Sequence, residues 1–526
     1  MKLITGSRKL RITDFVRKNR KELFVLVIIL LIAAFLRLYR IGSYMTFLGD
    51  EGRDVIIVRD IFVKFHPPLI GPGTSIGNMY LGPLYYYMMA IPLLLAGFSP
   101  VGPAVMIAVL GIITVGMVWW IGREWFTPAP GRIAWGALIA SGLYAISPTV
   151  IIYSRSSWNP NIMPFFALIA IYSVWRVWKY SEFNWLVVMG LSLAFILQSH
   201  YMGLLLVPTL LLFWVLTFIN LKLDKNRRLL IGKFLQKTII GLLFFAGLMS
   251  PLFFFDIRHN FMNSRAIITF FANNNGSIAI RPLAVVSKIP QVFNLVMTDL
   301  LSGKNPEVGI FVSIALFFCF ATTLMYISVV KKMTISPYWL IVAWVSFGIL
   351  GLGFYRLEIY DHYFGFLFPA PFLIVGGLSE FLLSFRSVVK RAAVLVVLTP
   401  LVVVSIINNP FKYAPNNQMG RAEDVAKKIE QESGGNRFNL GVIAATNYED
   451  GYKYFLLKDG ALVIDIDSQV KGSITDQLFV VCELPEEQCD PTHNSTAAIA
   501  NFGWSKIEDS WNVDGVIVYK LVHYTK

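Results

Sequence analysis

The sequence predicts a polytopic α-helical membrane protein with about eleven transmembrane helices and a small C-terminal α/β domain. Three observations predict this class. Of the 526 residues, 56% are hydrophobic and only 15% are charged, and the mean hydropathy of +0.61 lies well above that of soluble domains. The apolar residues form separate runs of about 15 to 22, which is long enough for a helix to cross a bilayer. After residue 408 the composition becomes that of a soluble domain.

The first apolar run, residues 23–36, follows a basic tail at residues 1–22. No small-residue cleavage site follows this run, so we expect a retained span with its N-terminus in the cytoplasm. The net charge of +14 comes largely from short basic segments between apolar runs. That distribution sets membrane topology and does not predict a nucleic-acid partner.

Ten further apolar runs complete the predicted membrane region, residues 23–407. They lie near 101–121, 133–152, 161–178, 184–198, 203–220, 238–255, 309–330, 337–355, 363–383 and 391–407.

The apolar piece at residues 82–98 is short, has Pro92 in its interior and contains three consecutive tyrosines. If it crossed the membrane, every later loop would change sides. The basic segments become cytoplasmic only if this piece stays at the outer face. We therefore expect it to form a juxtamembrane helix within a long first external loop, residues 40–100.

The C-terminal segment, residues 408–526, is predicted to be an external α/β domain. Residues 420–433 have the pattern of an amphipathic helix, and residues 438–446, 461–467, 477–484 and 515–522 have the pattern of strands. Cys482 and Cys489 are seven residues apart. They could form a disulfide outside the cell or remain free, since the sequence does not fix their geometry.

An acidic pair, Asp50 and Glu51, lies in the motif FLGDEGRDV, shortly after the first span. One interpretation is structural: Asp50 would be the N-cap of a helix and Glu51 would lie in its first turn, where negative charge is favourable. The other is catalytic. A carboxylate at the membrane surface can take a proton from a hydroxyl that attacks a membrane-bound substrate. The two are compatible if Glu51 caps the helix while Asp50 reacts.

The layout of one span, a first external loop with an acidic pair and a GPLYYY helix, and two spans leading to a second polar motif resembles the GT-C superfamily of membrane glycosyltransferases. More narrowly it is similar to the protein O-mannosyltransferase and aminoarabinose-transferase-like branch, in bacterial or archaeal form. The resemblance extends over residues from about 20 to 410. It implies a polyprenyl-phosphate sugar donor and a catalytic aspartate that matches Asp50, with Glu51 as its usual neighbour.

The second external motif, SRSSWNPN, has Asn159 and Asn161 where related oligosaccharide transferases carry an acidic metal-binding pair. Amides are weaker ligands than carboxylates for a hard cation. The sequence therefore predicts no obligatory cofactor and leaves a divalent metal ion open, with Asp50 as its candidate ligand. The two asparagines are candidates for substrate binding or for an Asn-Pro turn that starts the next span.

The other candidate substrate-binding residues lie in the later external loops, where a leaving phosphate would need positive charge or hydrogen-bond donors. They are His200, Arg258, His259, Arg356, Asp361, His362 and Tyr363. In the family, a basic residue before a late span reaches the lipid phosphate, and Arg356 or His362 would match it. The alternative is that these groups form hydrogen bonds and ion pairs at the water line.

These observations predict an integral membrane glycosyltransferase that moves a monosaccharide from a polyprenyl-phosphate donor to an acceptor hydroxyl on the outer face, with inversion. The expected partners are the donor, membrane lipid and an acceptor protein, lipid or glycan. The protein would be multi-pass in the cell membrane, with its C-terminal domain external. The alternatives are a polyprenyl-linked glycan polymerase or ligase and a lipid-sugar transporter or flippase. A transporter usually keeps ionisable residues at mid-membrane, whereas these spans carry few charges away from their ends.

Overall fold

A computed structural model describes residues 12–524, except for 75–76, 128–130, 225–226, 273–281, 331–334, 356, 386, 468 and 471. The first helices are α1 (Ile12–Lys18), α2 (Arg20–Leu38), α3 (Ile41–Tyr44), α4 (Gly49–Val63), α5 (Leu84–Leu95), α6 (Val101–Phe126), α7 (Trp135–Ile146) and α8 (Pro148–Tyr153). They are followed by α9 (Met163–Tyr180), α10 (Trp185–Ser199), α11 (Val207–Lys222), α12 (Arg227–Arg258), α13 (Met262–Ala272), α14 (Pro282–Leu301), α15 (Pro306–Met325), α16 (Pro337–Gly353), α17 (Pro369–Leu383) and α18 (Val388–Ile407).

The helical part is that of a multi-pass membrane protein. Among the described residues, six helices are long and apolar enough to cross a membrane, or seven if the bent pair that includes α17 is one span. Each of the eleven predicted apolar runs coincides with one of these helices, with α2, or with a shorter or broken helix. Only 6% of the most apolar window of α12 is buried inside the protein. Most side chains of this window therefore lie on the surface of the protein, although α12 packs against α10 along one side.

The predicted juxtamembrane piece forms α5, which has 12 residues. At 1.5 Å per residue it is about 18 Å long, too short to cross a hydrocarbon core of about 30 Å. It packs against α4 and α6. Two short antiparallel strands, β1 (Gly73–Thr74) and β2 (Gly77–Tyr80), lie between α4 and α5 in the same loop. Between the predicted apolar runs at 238–255 and 309–330, where the sequence predicts a loop, the structure has two further helices, α13 and α14.

Two buried arginines form hydrogen bonds at or near the C-terminal end of α2. Arg37 donates to the carbonyl oxygens of Ala145 at 3.0 Å and Tyr144 at 3.4 Å. Arg155, from the second external loop, donates to the carbonyl oxygens of Leu36 at 2.6 Å and Tyr39 at 2.7 Å. The last carbonyls of a helix lack hydrogen-bond donors within the helix and carry partial negative charge. A guanidinium donates hydrogen bonds to such carbonyls and offsets their charge. The start of the first external loop is thereby tied to the second loop.

The C-terminal segment forms a four-stranded sheet with three α-helices. Its elements are α19 (Gln418–Ser433), β3 (Asn439–Ile443), α20 (Asp450–Asp459), β4 (Gln477–Cys482), α21 (Ala497–Phe502), β5 (Ser505–Val513) and β6 (Val516–His523). The strand order is β3-β4-β6-β5, with β3 and β4 parallel and the other pairs antiparallel. Cys482 and Cys489 form a disulfide, one of the two alternatives that the sequence left open.

One predicted strand of this domain was wrong and another was missed. Residues 461–467 contribute only a single bridge, from Val463 to Phe438. The missed strand is β5, whose residues are mostly exposed. Because it is an edge strand with few buried side chains, its sequence lacks the apolar alternation on which strand prediction depends.

The C-terminal domain shares a hydrophobic core with the first external loop. Phe47 lies 5.6 Å from the ring of Phe455, and both belong to one cluster with buried residues of α4, α5, α19 and the sheet. Backbone and side-chain hydrogen bonds cross the same boundary, including Asn417 N–H to the Ser43 carbonyl at 2.9 Å and Phe47 N–H to Gln418 Oε1 at 3.0 Å. The domain is therefore packed directly over the loop that carries the acidic pair.

Candidate functional site

A cavity of about 270 Å³ lies where the first loop, which follows α2, the second loop, which follows α8, and the C-terminal domain meet. Its lining comes from Thr46, Leu48, Gly49, Asp50 and Glu51 of the first loop, Ile152, Tyr153, Ser156, Trp158 and Asn161 of the second, and Thr446 and Tyr448 of the C-terminal domain. The hydrogen bond from Thr46 N–H to Ser156 Oγ, 2.8 Å, joins the two loops at its edge. The cavity brings together Asp50, Glu51 and Asn161, three of the predicted site residues.

Asp50 lies in the first turn of α4, with its side chain 44% exposed. Arg53 Nη1, one turn later, donates to Asp50 Oδ1 at 2.9 Å, and the Tyr448 hydroxyl donates to the same oxygen at 2.8 Å. Both hydrogen bonds that Asp50 accepts from described residues thus use Oδ1, and the cavity lies beside the carboxylate. The interpretation of Asp50 as the N-cap was wrong, because Leu48 holds that position and α4 begins at Gly49.

Behind Asp50 lies a buried carboxylate, Asp54. Arg53 Nη2 donates to Asp54 Oδ1 at 2.8 Å, and the Tyr86 hydroxyl donates to the same oxygen at 3.1 Å. Burial raises the pKa of Asp54 to about 6, although the Arg53 guanidinium opposes this shift. Arg53 therefore bridges a cavity-facing acid and a buried one, which fixes its guanidinium next to Asp50.

Glu51 is buried, and its Oε2 accepts the backbone N–H of Leu48 at 3.0 Å. This is the helix-capping contact that the sequence suggested for Glu51, and it satisfies one donor at the start of α4. Burial raises the pKa of Glu51 to about 7, with the Leu48 hydrogen bond opposing the shift. Its chemical part in the reaction, predicted from the family resemblance, stays a prediction.

The cavity residues do not fit a divalent cation well. Asp50, the candidate ligand, already pairs with a guanidinium, and the second loop offers amides in place of carboxylates. Among the described residues, no group of three or more His, Cys, Asp or Glu side chains is arranged to hold a metal ion. We therefore derive no chemical step through a metal.

The two asparagines of the second loop have different surroundings. Asn159 is buried and donates to the Ser199 carbonyl at 2.6 Å, so it ties this loop to the end of α10 and is not among the residues that line the cavity. Asn161 lines the cavity, and its Nδ2 donates to the Ser156 carbonyl at 2.8 Å. Asn161 Oδ1 is buried and has no partner in the described part of the chain. A buried acceptor without a donor is costly.

An aromatic cluster continues from the cavity through Trp158. The Trp158 ring lies 4.6 Å from His362, and His362 lies 5.4 Å from His200 and 4.6 Å from Tyr363. Burial, followed by the nearness of His362, lowers the pKa of His200 to about 3, and its Nδ1 accepts the Met202 N–H at 3.2 Å. His200 is therefore neutral at physiological pH and is a poor source of positive charge for a phosphate. The structure nevertheless brings together three predicted residues from two separate loops, His200 from one and His362 and Tyr363 from the other.

Asp361 belongs to a charged group next to this cluster. Lys304 Nζ lies 2.7 Å from Asp361 Oδ2. Burial and the neighbouring Asp361 raise the pKa of Asp299 above its usual range. This arrangement matches the ion-pair alternative for Asp361. Lys304, whose side chain is 55% exposed, was not predicted as a site residue.

Of the remaining candidates, Arg258 and His259 do not line the cavity. Arg258 and His259 are exposed at and just after the end of α12, and His259 Nδ1 contacts the Phe255 carbonyl at 2.8 Å. Asp256, in the same motif, accepts the N–H of Asn263 at 2.7 Å at the start of α13. Arg356 lies outside the described residues. Substrate binding by these three basic residues stays a prediction.

Sequence reasoning assigned no role to several residues that shape the cavity, above all Arg53 and Tyr448. Arg53 is three residues after Asp50, a spacing that places two helical side chains on one face and could have indicated the ion pair. Tyr448 is 398 residues away from Asp50 in the chain. No local pattern predicts that contact, because it depends on how the C-terminal domain packs.

Comparisons with known proteins support the predicted resemblance. Residues 81–258 match the family described as dolichyl-phosphate-mannose-protein mannosyltransferase. No curated protein matches the chain. Crystal structures of ArnT from Cupriavidus metallidurans share 12% sequence identity and cover 95% of this chain and 98% of that chain, with TM-scores of 0.59 in the apo state and 0.58 bound to undecaprenyl phosphate. The resemblance to GT-C enzymes is confirmed, and the fold is that of ArnT over nearly the whole chain.

Proposed function

We propose that this membrane protein, which has a GT-C fold, transfers a monosaccharide from a polyprenyl-phosphate donor to an acceptor hydroxyl at the outer face of the membrane. The observation that carries the proposal is the position of Asp50. A partly exposed carboxylate, oriented through one oxygen, lies beside a cavity between the first loop, the second loop and the C-terminal domain. The ArnT structure bound to undecaprenyl phosphate supports the donor class, because that protein shares the fold and binds a polyprenyl phosphate.

The proposed reaction is a single displacement. The acceptor oxygen attacks the anomeric carbon, Asp50 takes the hydroxyl proton, and the bond from the anomeric carbon to the phosphate oxygen breaks with its electron pair going to the polyprenyl phosphate. Attack opposite the leaving group inverts the anomeric centre. Arg53 keeps the Asp50 carboxylate oriented, since the two groups form an ion pair at 2.9 Å.

Asn161 is proposed to recognise a hydroxyl of the sugar or of the acceptor. Its Nδ2 is held by the Ser156 carbonyl, so the unpartnered Oδ1 has a fixed direction. Trp158 offers an apolar ring face at the cavity wall, and its own position is fixed by packing against His362. A hydroxyl acceptor and an aromatic surface together suit a sugar, which has both polar edges and apolar faces.

The test is sugar transfer by the full-length protein in lipid bilayers, with a panel of radiolabelled polyprenyl-phosphate monosaccharides that differ in sugar and in anomeric configuration. We expect one donor to lose its sugar to an acceptor hydroxyl, or more slowly to water, with release of polyprenyl phosphate. NMR of the product gives the anomeric configuration, which should be opposite to that of the donor.

Three results would contradict the proposal. Retention of configuration would exclude the single displacement. Passage of intact donor across the bilayer without cleavage would instead support a flippase, and extension of a polyprenyl-linked glycan chain would support a polymerase.

A further inference from the structure

We infer that Tyr448 of the C-terminal domain is a positioning residue for Asp50, so that the domain completes the reacting site and does not merely cover it. This inference rests on the proposed function, because it assigns Tyr448 a part in the reaction of Asp50. It goes beyond that function by giving the C-terminal domain a chemical role through one hydroxyl group.

The contacts of the Tyr448 hydroxyl form a closed triangle. It donates to Asp50 Oδ1 at 2.8 Å and accepts from Arg53 Nη1 at 3.2 Å, while Arg53 Nη1 also donates to Asp50 Oδ1 at 2.9 Å. Two donors from different elements therefore converge on one carboxylate oxygen. A carboxylate that is held by two such donors cannot rotate freely, so Oδ2 keeps one direction relative to the cavity.

The Tyr448 ring is itself fixed by the first loop. A Cβ atom at Gly49 would lie only 2.4 Å from the ring, so the glycine provides the space that the tyrosine occupies. The preceding residue, Asn447, accepts through Oδ1 the N–H of Gly49 at 2.8 Å and donates through Nδ2 to Glu483 at 2.5 Å. Gly49 and Asn447 therefore fix the position from which the Tyr448 hydroxyl contacts Asp50.

A second tyrosine of the same domain provides a matched control. The Tyr454 hydroxyl donates to the carbonyl of Phe98, so it also links the C-terminal domain to the first loop. Phe98 does not line the cavity. Tyr448→Phe deletes the hydrogen bonds with Asp50 and Arg53, whereas Tyr454→Phe deletes a hydrogen bond between the same domain and loop that does not involve Asp50.

The experiment compares the native protein, Tyr448→Phe and Tyr454→Phe for donor KM, kcat of sugar transfer and thermal midpoint in the same bilayers. A hydrogen bond to a charged group is worth enough to change a rate by about 10- to 100-fold. We expect Tyr448→Phe to lower kcat by about 10-fold or more, with donor KM changed less than about twofold and the thermal midpoint close to that of Tyr454→Phe. Tyr454→Phe should keep the native kcat.

A double-mutant comparison separates positioning from general structural support. In an Asp50→Asn background, Tyr448→Phe should cause little further loss of the residual transfer rate, because its effect passes through Asp50. A native kcat in Tyr448→Phe, a change confined to KM, an equal loss of kcat in Tyr454→Phe, or an undiminished loss in the Asp50→Asn background would each overturn the inference. Absence of transfer by the native protein from every donor would instead contradict the proposed function on which it rests.

Discussion

At Asp50, two donors hold one carboxylate oxygen and the cavity lies beside the group. This arrangement combines orientation with access, because Arg53 and Tyr448 both bond Oδ1 while the side chain remains 44% exposed. Asp54, four residues later, has no comparable access, since it is fully buried behind Arg53. The two aspartates of the motif therefore differ in what they can do. Asp50 can meet a substrate, and Asp54 can only hold Arg53.

Asn161 gives a prediction at the scale of one residue. Asn161→Leu keeps the approximate size of the side chain but removes the buried acceptor, so we expect kcat/KM for transfer to fall about 10-fold or more through lost recognition. The measurement is steady-state transfer with donor and acceptor varied separately.

Asn408→Leu is the control for this prediction, because Asn408 also uses Nδ2 to bond a loop carbonyl, that of Gly303 at 3.0 Å, but does not line the cavity. Equal losses of kcat/KM in the two variants would contradict a recognition role for Asn161.

The sequence predicted part of this residue-scale arrangement. Asp50 was predicted from its place just after a span, and Asn161 from its motif, because both signals are local. The sequence could not predict that Asn161 lines the cavity while Asn159 does not. It depends on the end of α10, where the Ser199 carbonyl takes the amide of Asn159. Likewise Tyr448 reaches the site only through the packing of a domain far away in the chain.

At the scale of elements, helix α4 carries the site and is fixed at its start by Glu51 and along one side by α20. A Cβ atom at Gly52 would lie 2.3 Å from the backbone of Asp450, so the two helices approach closely because this residue is a glycine. In the sequence GDEG, Asp50 lies at the cavity and Glu51 caps α4. Gly49 and Gly52 leave the space in which the C-terminal domain packs against α4.

The raised pKa of Glu51 predicts that the free energy of unfolding depends on pH. Its pKa is about 7 in the folded protein and close to 4.5 when unperturbed. Between these values the folded protein binds more protons than the unfolded chain, so the stability contributed by this group falls as pH rises from about 4.5 to 7. Over this pH range, the contribution of Glu51 to the free energy of unfolding falls by about 3 kcal/mol. Glu51→Gln keeps an acceptor for the Leu48 N–H and does not ionise.

We therefore expect the thermal midpoint of Glu51→Gln, relative to the native protein, to rise as the pH is raised from about 4.5 to 8. Midpoints measured in the same detergent across this range check the prediction. A difference that stays constant with pH would show that Glu51 does not carry the extra proton.

The variant Gly52→Ala tests the close packing of α4 against α20. Gly52→Ala must displace Asp450 or shift α4, so we expect a lower thermal midpoint and reduced transfer, since Asp50 lies on the displaced helix. Gly247→Ala is the matched control, because a Cβ atom at this helical glycine would meet nothing within 4 Å. In that variant the midpoint should stay or rise, as alanine favours helix. A native midpoint and native transfer rate in Gly52→Ala would contradict the close packing.

At the scale of the whole molecule, the membrane region, the first external loop and the C-terminal domain form one connected structure. The helical membrane region was predictable because each span is marked by its own apolar run. The apolar run at residues 82–98 predicted a short helix there, which is α5, and charge balance across the loops predicts that this helix stays at the membrane surface. The shared core was not, since residues such as Phe47 and Phe455 are apolar in each segment and nothing local says that they meet.

The orientation of the chain is testable by labelling. We expect a cysteine at Ser495, exposed in the C-terminal domain, to react with an impermeant maleimide on intact cells, and one at Asn184, exposed between α9 and α10, to react only after permeabilisation. Both Ser495→Cys and Asn184→Cys would also carry Cys319→Ser, because Cys319 is a free thiol. The reverse pattern would place the cavity on the cytoplasmic side.

The measurement that tests the central claim most directly is sugar transfer from the accepted polyprenyl-phosphate donor by Asp50→Asn, compared with Asp60→Asn. Asp60 lies on the same helix and pairs with Lys64 at 2.8 Å, away from the cavity. Removing a general base costs about 100- to 10,000-fold in rate. We expect Asp50→Asn to lose transfer by at least about 100-fold while it stays folded, and Asp60→Asn to keep the native rate. Native transfer by folded Asp50→Asn would contradict the assignment of Asp50 as the base.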